Sequence, residues 1–499
     1  MNASRLSPLL AVAASSVFAV PAEWPQFRGP SRDGVSAETG LLKEWPKEGP
    51  PLAWQIKGLG KGMSSVAISG GKIFTISQRK GGQFVIALDL NSQKELWAAR
   101  VSEKADDPNA TPCIDGELVY AVSKDGKLLC CRVADGEEVW RKDFVADFGG
   151  KMMSGWGYSE SPLIDGDKVI VTPGGNDAVL VALDKKTGEP VWKAPMPPDV
   201  GSKGGDGAGY TGAVISNAAG IRQYVTLIGR GVISVSAAGG KVLWHYNRVA
   251  NGTANIPTPL AWDDYVFASS GYGTGAALLK IVKADAAAKG PATAPADEAK
   301  AADGAKKASA LKAELEKARE ARAKLSEGSA EYEKADAGVQ SLKAELAKIE
   351  EGDASGGAGL AQVPGSPAKV EEQYFLAAGT FQNHHGGMVR LGDYIYAGTG
   401  HNNGFPICLN WKTGKIVWKK DRGPGSESAA MIAADGGLYF RYQDGTMALI
   451  GATPEGYAEK GAFKLASVDG PSWPHPAIHN GQLYLRSQDT LMCYDIRGK

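Results

Sequence analysis

Glu160, Tyr210, His385 and Glu427 occupy one register of this 499-residue chain. Each immediately precedes a small-residue step that opens a short apolar strand, and that step recurs eight times. The full register reads Ser64, Ala110, Glu160, Tyr210, Pro257, His385, Glu427 and Pro474. One residue earlier stand Met63, Asn109, Ser159, Gly209, Ile256, His384, Ser426 and Trp473, and His475 follows Pro474. Two carboxylates, a phenol and three of the six histidines thus fall on one ring. Such groups suit acid–base work, anion or sugar binding, or metal ligation. Packing alone would keep small residues there. The candidate ligand site is Glu160, Ser161, Tyr210, Thr211, Asn383, His384, His385, Glu427 and His475. The competing reading is a wet tunnel with a polar lining. Adjacent residues in a regular strand face opposite ways, so His384 and His385 meet one ligand only if Gly386-Gly387 bends the chain. No ligand pair has the tight spacing of a structural zinc site, so no metal is assigned. If the histidines hold the ligand, binding should change with pH between about 5.5 and 7.5.

The elements that position this ring come from a repeat. NSQKELW, ADGEEVW, KTGEPVW, AAGGKVLW and KTGKIVW close on Trp97, Trp140, Trp192, Trp244 and Trp418. From Trp54 to Trp244 the steps are 43, 43, 52 and 52 residues. The opening steps Ser65-Val66, Thr111-Pro112, Ser161-Pro162, Thr211-Gly212, Thr258-Pro259, Gly386-Gly387, Ser428-Ala429 and His475-Pro476 are 46, 50, 50, 47, 128, 42 and 47 residues apart. Removing the 85 residues 285–369 brings the long step to 43. Each unit reads as four short strands, the blade of a β-propeller. The eighth unit runs out at Asp495-Ile496, and PPLAWQI with Trp54 supplies its missing strand. The expected fold is therefore all-β: an eight-bladed propeller closed by an N-terminal strand, which removes an exposed sheet edge. Glycine, 65 of 499 residues, fits many tight turns.

The blades should span residues 52–284 and 370–499, with 23–51 as an N-terminal extension. Residues 285–310 read as a linker. Leu311, Leu315, Ala318, Arg322 and Leu325 form one apolar stripe, and Tyr332, Ala335, Val339, Leu342, Leu346 and Ile349 another. That spacing predicts an inserted α-helical hairpin, an antiparallel coiled coil, either an idle elaboration or an arm for docking or self-association. Residues 1–22 read as a signal peptide, with Arg5 before the apolar run Leu9–Val20 and cleavage after Ala22 or Ala19. The expected location is the periplasm or outside the cell. The apolar run is too short to span a membrane, and no cysteine follows the cleavage site to carry a lipid. Lys+Arg and Asp+Glu both total 55, so no basic field draws in nucleic acid. Of the five cysteines, Cys130 and Cys408 share a column with Ala87 and Ala182, and Cys131 shares one with Leu88, Leu183 and Leu409. These are core positions.

The xALDxxTGxxxW repeats resemble those of the pyrroloquinoline-quinone (PQQ) type propellers, a superfamily that includes quinoprotein alcohol dehydrogenases and the assembly protein BamB. WPQFRGPSRDGVS, NHHGG at 383–387 and PSWPHPAIHNGQLYLRSQDTLMCYD resemble an exported bacterial branch of it. The resemblance implies the fold; many members bind no quinone. A PQQ enzyme needs a carboxylate base, a Ca²⁺ site and often an adjacent-cysteine disulfide over the cofactor. Cys130-Cys131 is adjacent but falls in a third strand, roughly 10 Å outward from the innermost one. No haem motif is present. The reading is a binding or scaffolding module, partnered by envelope proteins or a small ligand at the channel mouth. The alternative is a PQQ- and Ca²⁺-dependent alcohol or aldose dehydrogenase.

Overall fold

A computed structural model describes residues 23–198, 200–284, 360–471 and 473–498, with scattered positions between 307 and 342. Eight antiparallel sheets form the ring. Their innermost strands are Ala67–Ser69, Cys113–Asp115, Leu163–Asp165, Val214–Ser216, Leu260–Trp262, Met388–Leu391, Ala429–Ala434 and Ala477–His479, in blades one to eight. Each follows its predicted opening step. Leu52–Ile56 pairs antiparallel with Thr490–Asp495 and completes blade eight, with Trp54 opposite Cys493. Arg486 staples this joint to blade one, donating to Thr75 Oγ1 at 2.5 Å and to the Ile76 carbonyl at 2.6 Å.

The packing explains the repeat. Trp97, Trp140, Trp192 and Trp418 each donate their indole N–H to a carbonyl of the next blade, at 2.8–3.2 Å. The first three also lie against a turn glycine of that blade. A Cβ on Gly136, Gly188 or Gly240 would meet the ring at 2.5–2.7 Å, and all three glycines have φ of 71–75°. Gly and Trp of successive repeats are therefore one contact. The closing strand also bulges just before the aromatic in most blades. This throws Leu96, Val139, Val191 and Val417 out to solvent on the rim.

All five cysteines are buried and unpaired. Cys130 and Cys408 pair across the sheet with Trp140 and Trp418, in the column held elsewhere by Ala87 and Ala182.

The N-terminal extension enters the ring. Val35–Ser36 pairs parallel with Ala433-Ala434 on the axial side of blade seven. Trp24 bridges to Ile68 of blade one, and Pro25 accepts from Ile114 of blade two. Arg32 donates to the Ser161 and Pro162 carbonyls of blade three at 2.7 Å. Glu38 accepts from the backbone of Asn480 and Gly481 in blade eight. Residues 23–41 thus plug the channel, a role the sequence pattern did not suggest.

The helical hairpin expected in 285–369 is not supported. Residues 285–306 and most of 307–359 lie outside the described residues, and the only α-helix with described bounds is Phe144–Phe148. The chain re-enters as strands before residue 370. Leu360–Gln362 adds a fifth strand to the outer edge of blade four, and Ala368–Leu376 closes blade five with Tyr374 in the Trp column. Among the described residues no helix is long and apolar enough to cross a membrane.

Candidate functional site

The residues that open the blades form a belt around the axis. Ser65 Oγ donates to the His475 carbonyl at 2.6 Å, and Thr111 Oγ1 accepts from the Ser65 backbone N–H at 3.2 Å. Ser161 Oγ accepts from the Thr111 N–H at 3.0 Å, and Thr211 Oγ1 donates to Thr258 Oγ1 at 2.9 Å. Small hydroxyl residues recur here because Ser65, Thr111 and Ser161 each satisfy a backbone group of the neighbouring blade, and Thr211 bonds the hydroxyl of the next.

Above this belt is a cavity of about 250 Å³. Phe27 and Arg28 of the plug form its floor, and Met63, Trp156, Tyr210, Ile256, Tyr272 and Trp473 line its walls. His384, His385 and His475 line it together. The backbone departs from strand geometry at His385-Gly386 and Gly387 has φ 72°, so the two adjacent histidines serve one cavity. Asn383 holds that bend, donating to the Gly387 and Gly398 carbonyls at 3.2 and 2.8 Å. His384 hydrogen-bonds Ser428 Oγ at 2.6 Å and the Tyr272 hydroxyl at 2.9 Å. His401 packs against both His384 and Tyr272 with ring centroids 4.4 Å apart. Trp156, 54 % exposed, reaches from the loop before blade three and meets Trp473 edge-on across the mouth.

The candidate residues separate. Ser161, Tyr210, His384, His385 and His475 line the cavity. Thr211 and Asn383 are buried in its frame. Glu160 is buried as well, but its carboxylate accepts from the Thr172 N–H at 2.6 Å and stays out of the lining. Glu427 is exposed outside the cavity, with φ 64°. The register carries backbone positions, not side-chain directions, and turn geometry rotated both carboxylates away. Phe27, Arg28, Trp156, Tyr272 and His401 lie outside the repeat register and were missed. WPQFRGP was the available signal for the first two, being apolar and cationic in a segment before the ring.

Burial sets the electrostatics. It pushes the imidazoles down from 6.5, His384 to about 2, helped by His385 and His401, and His385 to about 3, helped by His475. His475 falls to about 3 through burial and the nearby Arg28 charge. All three are neutral near pH 7, so the pH response expected between about 5.5 and 7.5 does not follow from them. Burial raises Glu160 to about 7, opposed by the Thr172 hydrogen bonds and Arg32. It also lowers Arg28 to about 10.

This cavity does not fit a Ca²⁺–PQQ pair. Among the described residues its lining holds no carboxylate to act as base or to supply the charged oxygens Ca²⁺ takes. Among the described residues no cluster of three or more His, Cys, Asp or Glu could hold a metal. Cys130 and Cys131 are buried in the third strand of blade two, away from the lining.

The family model for outer membrane protein assembly factor BamB matches residues 48–142 and 81–299. The chain belongs to this family of PQQ-like propellers. The assembly factor BamB of Burkholderia pseudomallei is 27 % identical over 165 residues, covering 32 % of this chain and 39 % of that one. That of Marinobacter adhaerens is 28 % identical over 109 residues, 22 % and 24 % of the two chains. The matched region thus spans about two fifths and one quarter of these relatives' lengths. The quinohemoprotein alcohol dehydrogenase of Comamonas testosteroni superposes with a TM-score of 0.57 at 13 % identity, over 96 % of this chain and 81 % of that one. The computationally designed Ika8 protein gives 0.50 at 9 % identity, over 90 % and 100 %. At these identities the likeness is one of fold. Members share the ring; the plug and the lining of the mouth must be argued from this chain's own residues.

Proposed function

We propose that this chain is an exported binding module of the cell envelope that takes a small ligand in its axial pocket. The observation that carries this is the lining. Aromatic walls, three neutral histidines and a buried guanidinium surround a cavity without a carboxylate. That set can hold a ligand by stacking and hydrogen bonds, but it offers no carboxylate of the kind a PQQ dehydrogenase uses as its base. Export rests on the leader-like residues 1–22. An envelope partner is suggested by relatives named as outer membrane assembly factors. The test is reconstitution of the purified protein with Ca²⁺ and PQQ. The expected result is no retained quinone absorbance after desalting and no dye reduction with alcohols or aldoses. Stoichiometric retention with dye reduction would overturn the binding reading in favour of a dehydrogenase.

A further inference from the structure

Arg28 is only 1 % exposed and makes no salt bridge among the described residues. Its Nε donates to the Arg32 carbonyl at 3.3 Å, and Nη2 donates to the Asp33 carbonyl at 2.8 Å and to that of Met388. Its Nη1 is buried and has no partner. A buried cation with an unused donor is costly unless an acceptor completes it. His475, 6 % exposed, has a second unused atom. Its Nε2 lies 3.3 Å from the His385 carbonyl and must carry the proton to bond there, so the neutral ring leaves Nδ1 as a bare acceptor. Both groups border Gly387. A Cβ there would stand 2.0 Å from Arg28 Nη1 and 3.0 Å from His475 Cε1. Glycine is what lets the two approach. The floor therefore offers a cationic donor beside a neutral acceptor, beneath aromatic walls.

Resting on the binding reading above, we propose that the pocket selects flat aromatic monocarboxylates bearing an N–H or O–H next to the acid. The carboxylate takes Arg28 Nη1, the neighbouring donor takes His475 Nδ1, and the ring lies among Phe27, Trp156 and Trp473. A polyanion fits less well, because Arg28 is the only cation in the lining among the described residues.

Indole-2-carboxylate has this pattern, and indole-2-carboxamide is its neutral match in shape. Calorimetric titration of both into the full chain tests the idea. The expected result is that the acid binds at least tenfold tighter than the amide at 50 mM salt. Arg28→Gln should remove that preference while the amide still binds. Trp156→Ala, at an exposed site, should weaken acid and amide alike. Because Arg28→Gln could unfold the plug, the acid-to-amide ratio in the unmodified chain decides by itself. Equal binding of acid and amide overturns the anion proposal and leaves the binding pocket standing. Binding of neither at millimolar concentration, with Trp156→Ala also silent, overturns both.

Discussion

At the scale of single residues, burial has fixed protonation at the mouth, and stability should report it. His384, His385 and His475 take up protons near 6.5 when unfolded, but only near 2–3 when folded. Their contribution is present above about 6.5 and lost as pH falls. Glu160 acts in the opposite sense. Folded, it keeps its proton up to about 7 against 4.5 unfolded, so its contribution is lost as pH rises through that window. Three groups outweigh one, and unfolding between pH 6.5 and 4.5 should take up about two protons net. Stability should then fall by up to about 3 kcal/mol per pH unit. Urea midpoints at pH 7, 6 and 5 measure this; a flat profile would mean the native histidines are already charged. Glu160→Gln keeps an acceptor for the Thr172 N–H and removes the buried charge. It should stabilise the protein at pH 8 by up to about 3 kcal/mol and at pH 5 by less than about 1 kcal/mol.

At the scale of elements, the repeat is a contact between a turn and the preceding blade. Gly188 has φ 75° and an added Cβ would lie 2.7 Å from Trp140. Gly116 has φ 58° and open space around it. Gly116→Ala should cost about 1 kcal/mol, the left-handed backbone alone. Gly188→Ala should cost about 2–4 kcal/mol, because overpacking is added. Equal losses in chemical denaturation would show that the Trp–Gly contact gives way freely. The N-terminal segment holds two separable elements. A chain starting at residue 52 keeps the closing strand but loses the floor of the pocket. It should remain folded at reduced stability and bind neither indole probe. A chain starting at residue 58 also loses Trp54 and leaves Thr490–Asp495 as an open edge. A buried large aromatic alone is worth about 3–5 kcal/mol, so this form should melt well below the first or aggregate. Coincident melting curves for the two would refute closure by the N-terminal strand.

At the scale of the whole molecule, the ring is held by many similar inter-blade contacts, so it tolerates additions at its rim better than losses at its axis. In sequence, residues 288–356 follow Gly275–Lys283, the third strand of blade five, and precede Leu360–Gln362, on the outer edge of blade four. Replacing them with a short Gly-Ser link should leave the melting temperature within a few degrees of the parent, as expected for an insertion that meets the fold only at its ends. A large drop, or insoluble protein, would place the segment against the ring. The axial end behaves differently because the plug ties blades one, two, three, six, seven and eight to one segment.

The sequence by itself determined the number of blades and the closure. These rest on spacing: a Trp, a turn glycine and a small-residue step must recur wherever the same contact recurs between neighbours. It also placed three histidines and Tyr210 at the mouth, because backbone register carries over from blade to blade. Only the tertiary structure decided which side chains face the axis. Glu160 turns to the Thr172 amide and Glu427 to solvent, choices made by local turns that no periodicity encodes. Nor does a repeat announce a segment that does not repeat. Residues 23–41 bring Phe27 and Arg28 beneath His385, more than three hundred positions away in sequence, and that contact exists only once the ring has closed around the segment.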